Sequence, residues 1–128
     1  MKIVHLYSIN KGAFSDAMQL WADANRIPLD EHAMNEALLE LVDGALIFHI
    51  NHNLSKDILE LLGIVEEHNL PTHKIDVNGT LAATVSNFTM WLERNKAKSI
   101  LVLGGEDVAS SENLHRFLGS LVKDKEEA

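Results

Sequence analysis

The run Ser99-Ile100-Leu101-Val102-Leu103 stops at Gly104-Gly105-Glu106-Asp107, and a helical pattern begins a few residues later. Four apolar residues in succession read as a strand buried on both faces, the mark of a parallel sheet. A buried strand that breaks at paired glycines and re-enters a helix sets backbone N–H groups at the carboxyl edge of that sheet. This is where α/β proteins hold phosphates and other anions. The segment therefore predicts both a fold class and a ligand-binding edge, without naming the ligand.

The rest of the chain repeats the alternation. Residues 2–9 form a first strand, with Ile3, Val4, Leu6 and Ile9 apolar. Lys11-Gly12-Ala13 breaks it, and Ser15 or Asp16 can cap a helix that runs to about Arg26 before Pro28. A second helix is expected over residues 30–42, capped by Asp30 and lined by Ala33, Ala37, Leu38 and Leu41. After Gly44 comes the apolar run Ala45-Leu46-Ile47-Phe48-His49-Ile50, then a polar loop and a helix from Ser55 with Ile58, Leu61, Leu62 and Val65 inward. Residues 72–77 make a shorter strand, residues 80–95 a helix, and residues 110–123 a last helix after the 99–103 strand.

Four strands, each followed by helix, imply a single three-layer Rossmann-like domain over residues 1–128. Its parallel sheet would carry helices on both faces. Right-handed crossovers favour the strand order 3-2-1-4, counted along the chain. The first and fourth strands are then neighbours whose connections leave toward opposite faces. The crevice between them would be lined by residues 8–13 and 104–108. Ser8, Asn10, Lys11 and Gly12 form one predicted wall, and Gly104, Gly105 and Glu106 the other.

Composition excludes several functions. With 128 residues, the chain can bury one continuous core. A net charge of −8 with only 11 scattered basic residues argues against a nucleic-acid surface. No apolar run is long enough to span a bilayer, and the opening residues read as a strand, not a secretory leader. The absence of cysteine removes disulfides, thiolate metal sites and a cysteine nucleophile. A cytoplasmic protein without membrane partners is expected, and its amphipathic helices would allow a homodimer.

Each candidate residue has a plainer alternative. Gly104 and Gly105 either let a ligand approach the backbone or satisfy a tight turn at positive φ. Glu106 and Asp107 can accept hydrogen bonds from ribose hydroxyls, or one of them can cap the last helix. Lys11 can neutralise a phosphate beside a helix start, or remain solvated. His49 and His52, with His5 on a neighbouring strand, are the best metal set among seven histidines. Their spacing matches no recognised zinc pattern, so no metal is assigned. His32, His68 and His115 fall in helical patterns and read as surface residues. Asp76 either touches a ribose or caps the Asn78-Gly79 turn. Trp21 and Trp91 lie in apolar stripes and read as core. The chain carries no Gly-x-Ser-x-Gly elbow, Walker loop or Gly-x-Gly-x-x-Gly fingerprint, so catalysis is left open and no cofactor is assigned.

The order of these pieces resembles the molybdenum-cofactor carrier proteins of the lysine-decarboxylase-like (SLOG) Rossmann-like superfamily. The likeness rests on the strand–loop–helix from Lys2-Ile3-Val4 to Asn25-Arg26-Ile27-Pro28 and on Val42-Asp43-Gly44 before an apolar strand. Asn69-Leu70-Pro71 leading to Lys74-Ile75-Asp76-Val77 and the terminal Val102-Leu103-Gly104-Gly105 also match. The family's glycine-rich first loop keeps one glycine here, Gly12. Its second phosphate loop is replaced by Asn51-His52-Asn53-Leu54-Ser55-Lys56, and its final basic residue by Glu106 or Asp107. The resemblance implies a degenerate member that binds a nucleotide or nucleotide-derived molecule. The alternative is a non-catalytic interaction or scaffold module of the same fold. A phosphoribohydrolase, as among the lysine-decarboxylase-like relatives, would need catalytic residues that are not visible.

Overall fold

The computed structural model describes residues 3–9, 12–51 and 53–127, with side chains as far as Leu121. The elements run β1 (His5–Ser8), α1 (Ala13–Ala24), β2 (Leu29–Glu31), α2 (Glu36–Leu41), β3 (Gly44–His49) and α3 (Lys56–Glu67). They continue with β4 (Thr72–Asp76), α4 (Leu81–Asn95), β5 (Ser99–Gly104), α5 (Glu106–Ala109) and α6 (Glu112–Glu127).

All strand pairs are parallel, in the order β2-β1-β5-β3-β4. The fold class is as expected, but the sheet has five strands instead of four, and the order 3-2-1-4 is wrong. The first and last strands do pair, through His5–Ser99, Leu6–Ile100 and Tyr7–Leu101. β3 then pairs with β5, not with β1. The reason lies in side-chain polarity. Every residue of β3 is buried, as is the Ile100–Leu103 stretch of β5, so both need cover on each face. β1, which carries half-exposed His5 and Tyr7, lies on the other side of β5, beside the short edge strand β2.

The additional strand, β2, lies where a helix over 30–42 was expected. Asp30 is no cap: it pairs with Tyr7 in the ladder, and its Oδ2 lies 2.7 Å from His5 Nε2. The cap falls instead on Asn35, whose Oδ1 accepts the Leu38 N–H at 3.0 Å, which leaves a helix of only six residues. The first helix starts from Gly12, so neither Ser15 nor Asp16 caps it, whereas the expected cap and stripe of α3 hold. Ser55 Oγ accepts the Ile58 N–H at 3.2 Å and starts α3, which buries Ile58, Leu62 and Val65. α4 buries Phe88, Trp91 and Leu92, and Trp21 is buried in α1. Met90, on the same helix as Trp91, is exposed. The last helix begins earlier than expected and is broken into α5 and α6.

The sheet divides the core into two layers. On one face, α1, α4, α5 and α6 pack on Leu6, Leu46, Phe48, Ile100 and Val102. On the other, α2 and α3 cover Ala45, Ile47, Leu101 and Leu103. Alternate residues of β5 thus serve opposite layers, the period of two that a pleated strand imposes. Truncating one such residue, Leu101 for example, would cost about 2–5 kcal/mol by leaving a cavity. Asp43 ties the lower end together: its Oδ2 accepts the N–H groups of Lys98 and Ser99 at 3.0 and 3.1 Å.

Candidate functional site

Four segments end at the same place above the carboxyl end of β5. β1 delivers Ser8 and Ile9, and the start of α1 adds Gly12, Phe14 and Ser15. β5 runs out through Val102, Leu103, Gly104 and Gly105 to Glu106 and Asp107. The start of α3 closes the far side with Ser55, Asp57, Ile58 and Leu61. Together they line a cleft of about 470 Å³, within the size range of small-molecule sites.

The layers explain why a cleft opens there. α1 leaves β1 onto one face, whereas α3 leaves β3 onto the other, with β5 between them. Diverging connections leave the sheet edge uncovered, which is the switch-point geometry. The expected divergence between β1 and β5 is not found, because α5 and α6 pack on the same face as α1. The far wall comes from α3, and Ser55 and Asp57 were not anticipated as cleft residues.

Of the predicted site residues, Ser8, Gly12, Gly104, Gly105 and Glu106 meet in this cleft. Asn10 and Lys11 lie outside the described residues. Ser8 is 1% exposed, and its hydroxyl has no hydrogen-bond partner among the described residues. A buried hydroxyl with its donor and acceptor both unspent is uncommon and costs about 1–3 kcal/mol. Glu106 and Asp107 lie in the first turn of α5, whose N-cap is Gly105, so neither carboxylate takes the cap position.

The glycines are not bare backbone. A β-carbon on Gly104 would fall 2.6 Å from Phe14 Cδ1 and 2.8 Å from its Cζ, so the Phe14 ring occupies that space. On Gly105 it would fall 2.7 Å from Asp107 Oδ1, and on Gly12, 3.1 Å from Glu106 Oε1. Positive φ is not the reason for the pair: among the described glycines only Gly12, at 157°, has it. Gly104 is a glycine because an aromatic ring lies against it. Gly12 and Gly105 each have a carboxylate of the protein's own over them.

The cleft is accordingly acidic. Asp57, Glu106 and Asp107 line it with exposed carboxylates, and no described lining residue is Lys or Arg. Its apolar lining comes from both walls, Phe14 and Val102 on one and Ile58 and Leu61 on the other.

The other candidates disperse. β5 separates His5 from His49, so the proposed triad does not assemble. His5 stacks on Tyr7 at 4.4 Å, His49 is buried, and His52 lies outside the described residues. Among the described residues no three His, Cys, Asp or Glu side chains are placed to hold a metal ion. Asp76 Oδ1 accepts the N–H groups of Asn51 and Asn78 at 3.2 and 3.0 Å, which ties two loops together. His32 is in no helix: it follows β2, and its Nδ1 lies 2.7 Å from the Ala33 carbonyl oxygen. Burial lowers the pKa of His73, on β4, below its ordinary 6.5, and its ring stacks on Trp91 at 5.7 Å. It is remote from the cleft. A smaller polar recess of about 130 Å³ lies at the end of β4 between Asn78, Asn113 and Arg116. No described helix is long and apolar enough to cross a membrane.

Neither a family model nor a curated protein matches the sequence. Among solved structures, this chain is similar to one described as "Putative molybdenum carrier protein", from Syntrophus aciditrophicus. The TM-score is 0.70 at 12% identity, over 91% of this chain and 95% of that one. At that identity the likeness is one of fold: the chain has the parallel α/β architecture of that carrier protein.

Proposed function

We propose that this domain binds a nucleotide or nucleotide-derived small molecule in the cleft at the carboxyl edge of its sheet. The observation that carries the reading is the meeting of β1, β5 and the starts of α1 and α3 around one cleft, where the connections diverge. Its walls suit a two-part ligand. Phe14 and Val102 on one wall and Ile58 on the other offer apolar surface to the two faces of a flat base. Ser8, Ser55 and Glu106 offer hydrogen-bonding groups to a sugar. The name of the structural neighbour, a molybdenum carrier, supports holding a small molecule over transforming one.

A thermal-shift screen of the chain against nucleosides, nucleotides, NAD-type dinucleotides and sugar phosphates tests this. A ligand at 100 times its dissociation constant stabilises by about 2.7 kcal/mol, a rise in Tm of roughly 10 °C for a domain of this size. No shift with any of them would refute the proposal. It would favour the second reading, an interaction module, for which the covering of Gly12, Gly104 and Gly105 by the protein's own side chains already speaks.

A further inference from the structure

We infer that the cleft selects a phosphate-free, hydroxyl-rich ligand of nucleoside type, with Glu106 as the residue that keeps phosphate from the start of α1. The inference rests on the binding reading above and narrows it to a ligand class.

In a phosphate-binding α/β edge, a glycine opens the backbone and the first turn of a long helix presents free N–H groups to the anion. Here α1 has the helix and the glycine. It is 12 residues long, Gly12 is its N-cap, and no side chain of that cap satisfies the turn. A carboxylate already stands beside that helix start, because Glu106 Oε1 would lie 3.1 Å from a β-carbon on Gly12. The second helix that opens on the cleft, α3, is treated alike, with Ser55 on its first turn and Asp57 within it. Both helix ends are therefore matched to negative charge supplied by the chain itself.

An incoming phosphate would meet Asp57, Glu106 and Asp107 with no described lining cation to offset them. Lys11, which the sequence places just before Gly12, would still leave the carboxylates in the majority. Carboxylates accept hydrogen bonds and donate none, so they favour ligand hydroxyls and amines and disfavour other acceptors. An independent observation points to an occupant. Ser8 lines the same cleft, is 1% exposed, and its hydroxyl has no hydrogen-bond partner among the described residues. A ligand hydroxyl would satisfy it.

Calorimetric titration of the full chain with matched pairs tests this: adenosine and AMP, guanosine and GMP, ribose and ribose 5-phosphate, together with inorganic phosphate. In any pair that binds, the unphosphorylated member should bind at least about tenfold more tightly, the scale of one charge repulsion across a solvated cleft. Glu106→Gln should narrow that ratio severalfold. Asp57→Asn should move it the same way, which guards against a folding defect in either variant. Raising the salt from about 20 to 500 mM should narrow it as well, because screening acts on charge repulsion and not on steric exclusion. Tighter binding of the phosphorylated member would overturn the inference and leave the binding reading intact. So would a ratio unmoved by both variants and by salt. Binding by no member of any pair would refute the binding reading, and the inference with it.

Discussion

Gly104→Ala should destabilise the protein, and the cause should be traceable to one ring. The added methyl would sit 2.6 Å from Phe14 Cδ1 and 2.8 Å from Cζ, roughly 1 Å inside an ordinary carbon–carbon contact. Phe14 has little room to retreat, being buried with its ring 5.7 Å from that of Phe48. Overpacking of this kind costs about 1–3 kcal/mol. Because Gly104 has no positive φ, alanine there also removes unfolded-state entropy and returns about 0.4–1 kcal/mol. The net expectation is a loss of about 1.5 kcal/mol, a fall in Tm of roughly 5–8 °C. In a Phe14→Ala background the same change should cost nothing or stabilise slightly, giving a coupling of about 2 kcal/mol. Urea unfolding of the four proteins, with sulfate added to keep Phe14→Ala folded, measures it. A neutral Gly104→Ala in the unchanged protein would refute the reasoning. So would an equal cost in both backgrounds.

Other perturbations test other joints of the structure. Burial depresses the His73 pKa in the folded state, so the unfolded chain binds the proton more readily. Stability should therefore fall as pH drops below 6.5, until the folded-state value is passed, and His73→Phe should flatten that part of a urea-midpoint profile. Asp43→Ala removes the acceptor for two backbone N–H groups at the start of β5 and should cost about 1–2 kcal/mol by chemical unfolding. Ser55→Ala removes the α3 cap and should cost about 1 kcal/mol, with faster amide exchange confined to the first turn of that helix.

The parts of the fold legible in the sequence were those whose burial leaves a local trace. The unbroken apolar runs of β3 and β5, the Ser55 cap and the inward stripe of α3 all sit where the residues place them. β2 left no such trace. Leu29-Asp30-Glu31 has two exposed acidic residues and is a strand only because β1, more than 20 residues earlier in the ladder pairing, supplies its partner. Sheet order has a signal of its own: the two strands apolar throughout, β3 and β5, lie beside each other, and half-exposed His5 and Tyr7 mark β1 as less deeply enclosed.

At the site, the strand-end rule brought Ser8, Gly12, Gly104, Gly105 and Glu106 to one cleft. It missed Ser55 and Asp57, because recognising α3 as the far wall requires the true strand order. It also misread the glycines. That Phe14 lies over Gly104, and Glu106 over Gly12, depends on where side chains from distant segments come to rest. No local pattern reports that.

The most direct measurement is an amide chemical-shift map of the isotope-labelled chain titrated in turn with adenosine, guanosine and ribose. Saturable shifts clustered at Ser8, Gly12, Ser15, Asp57 and residues 104–107 are the predicted result. Shifts centred instead on the Asn78, Asn113 and Arg116 recess, or none at millimolar ligand, would contradict the assignment of the sheet edge as the binding site.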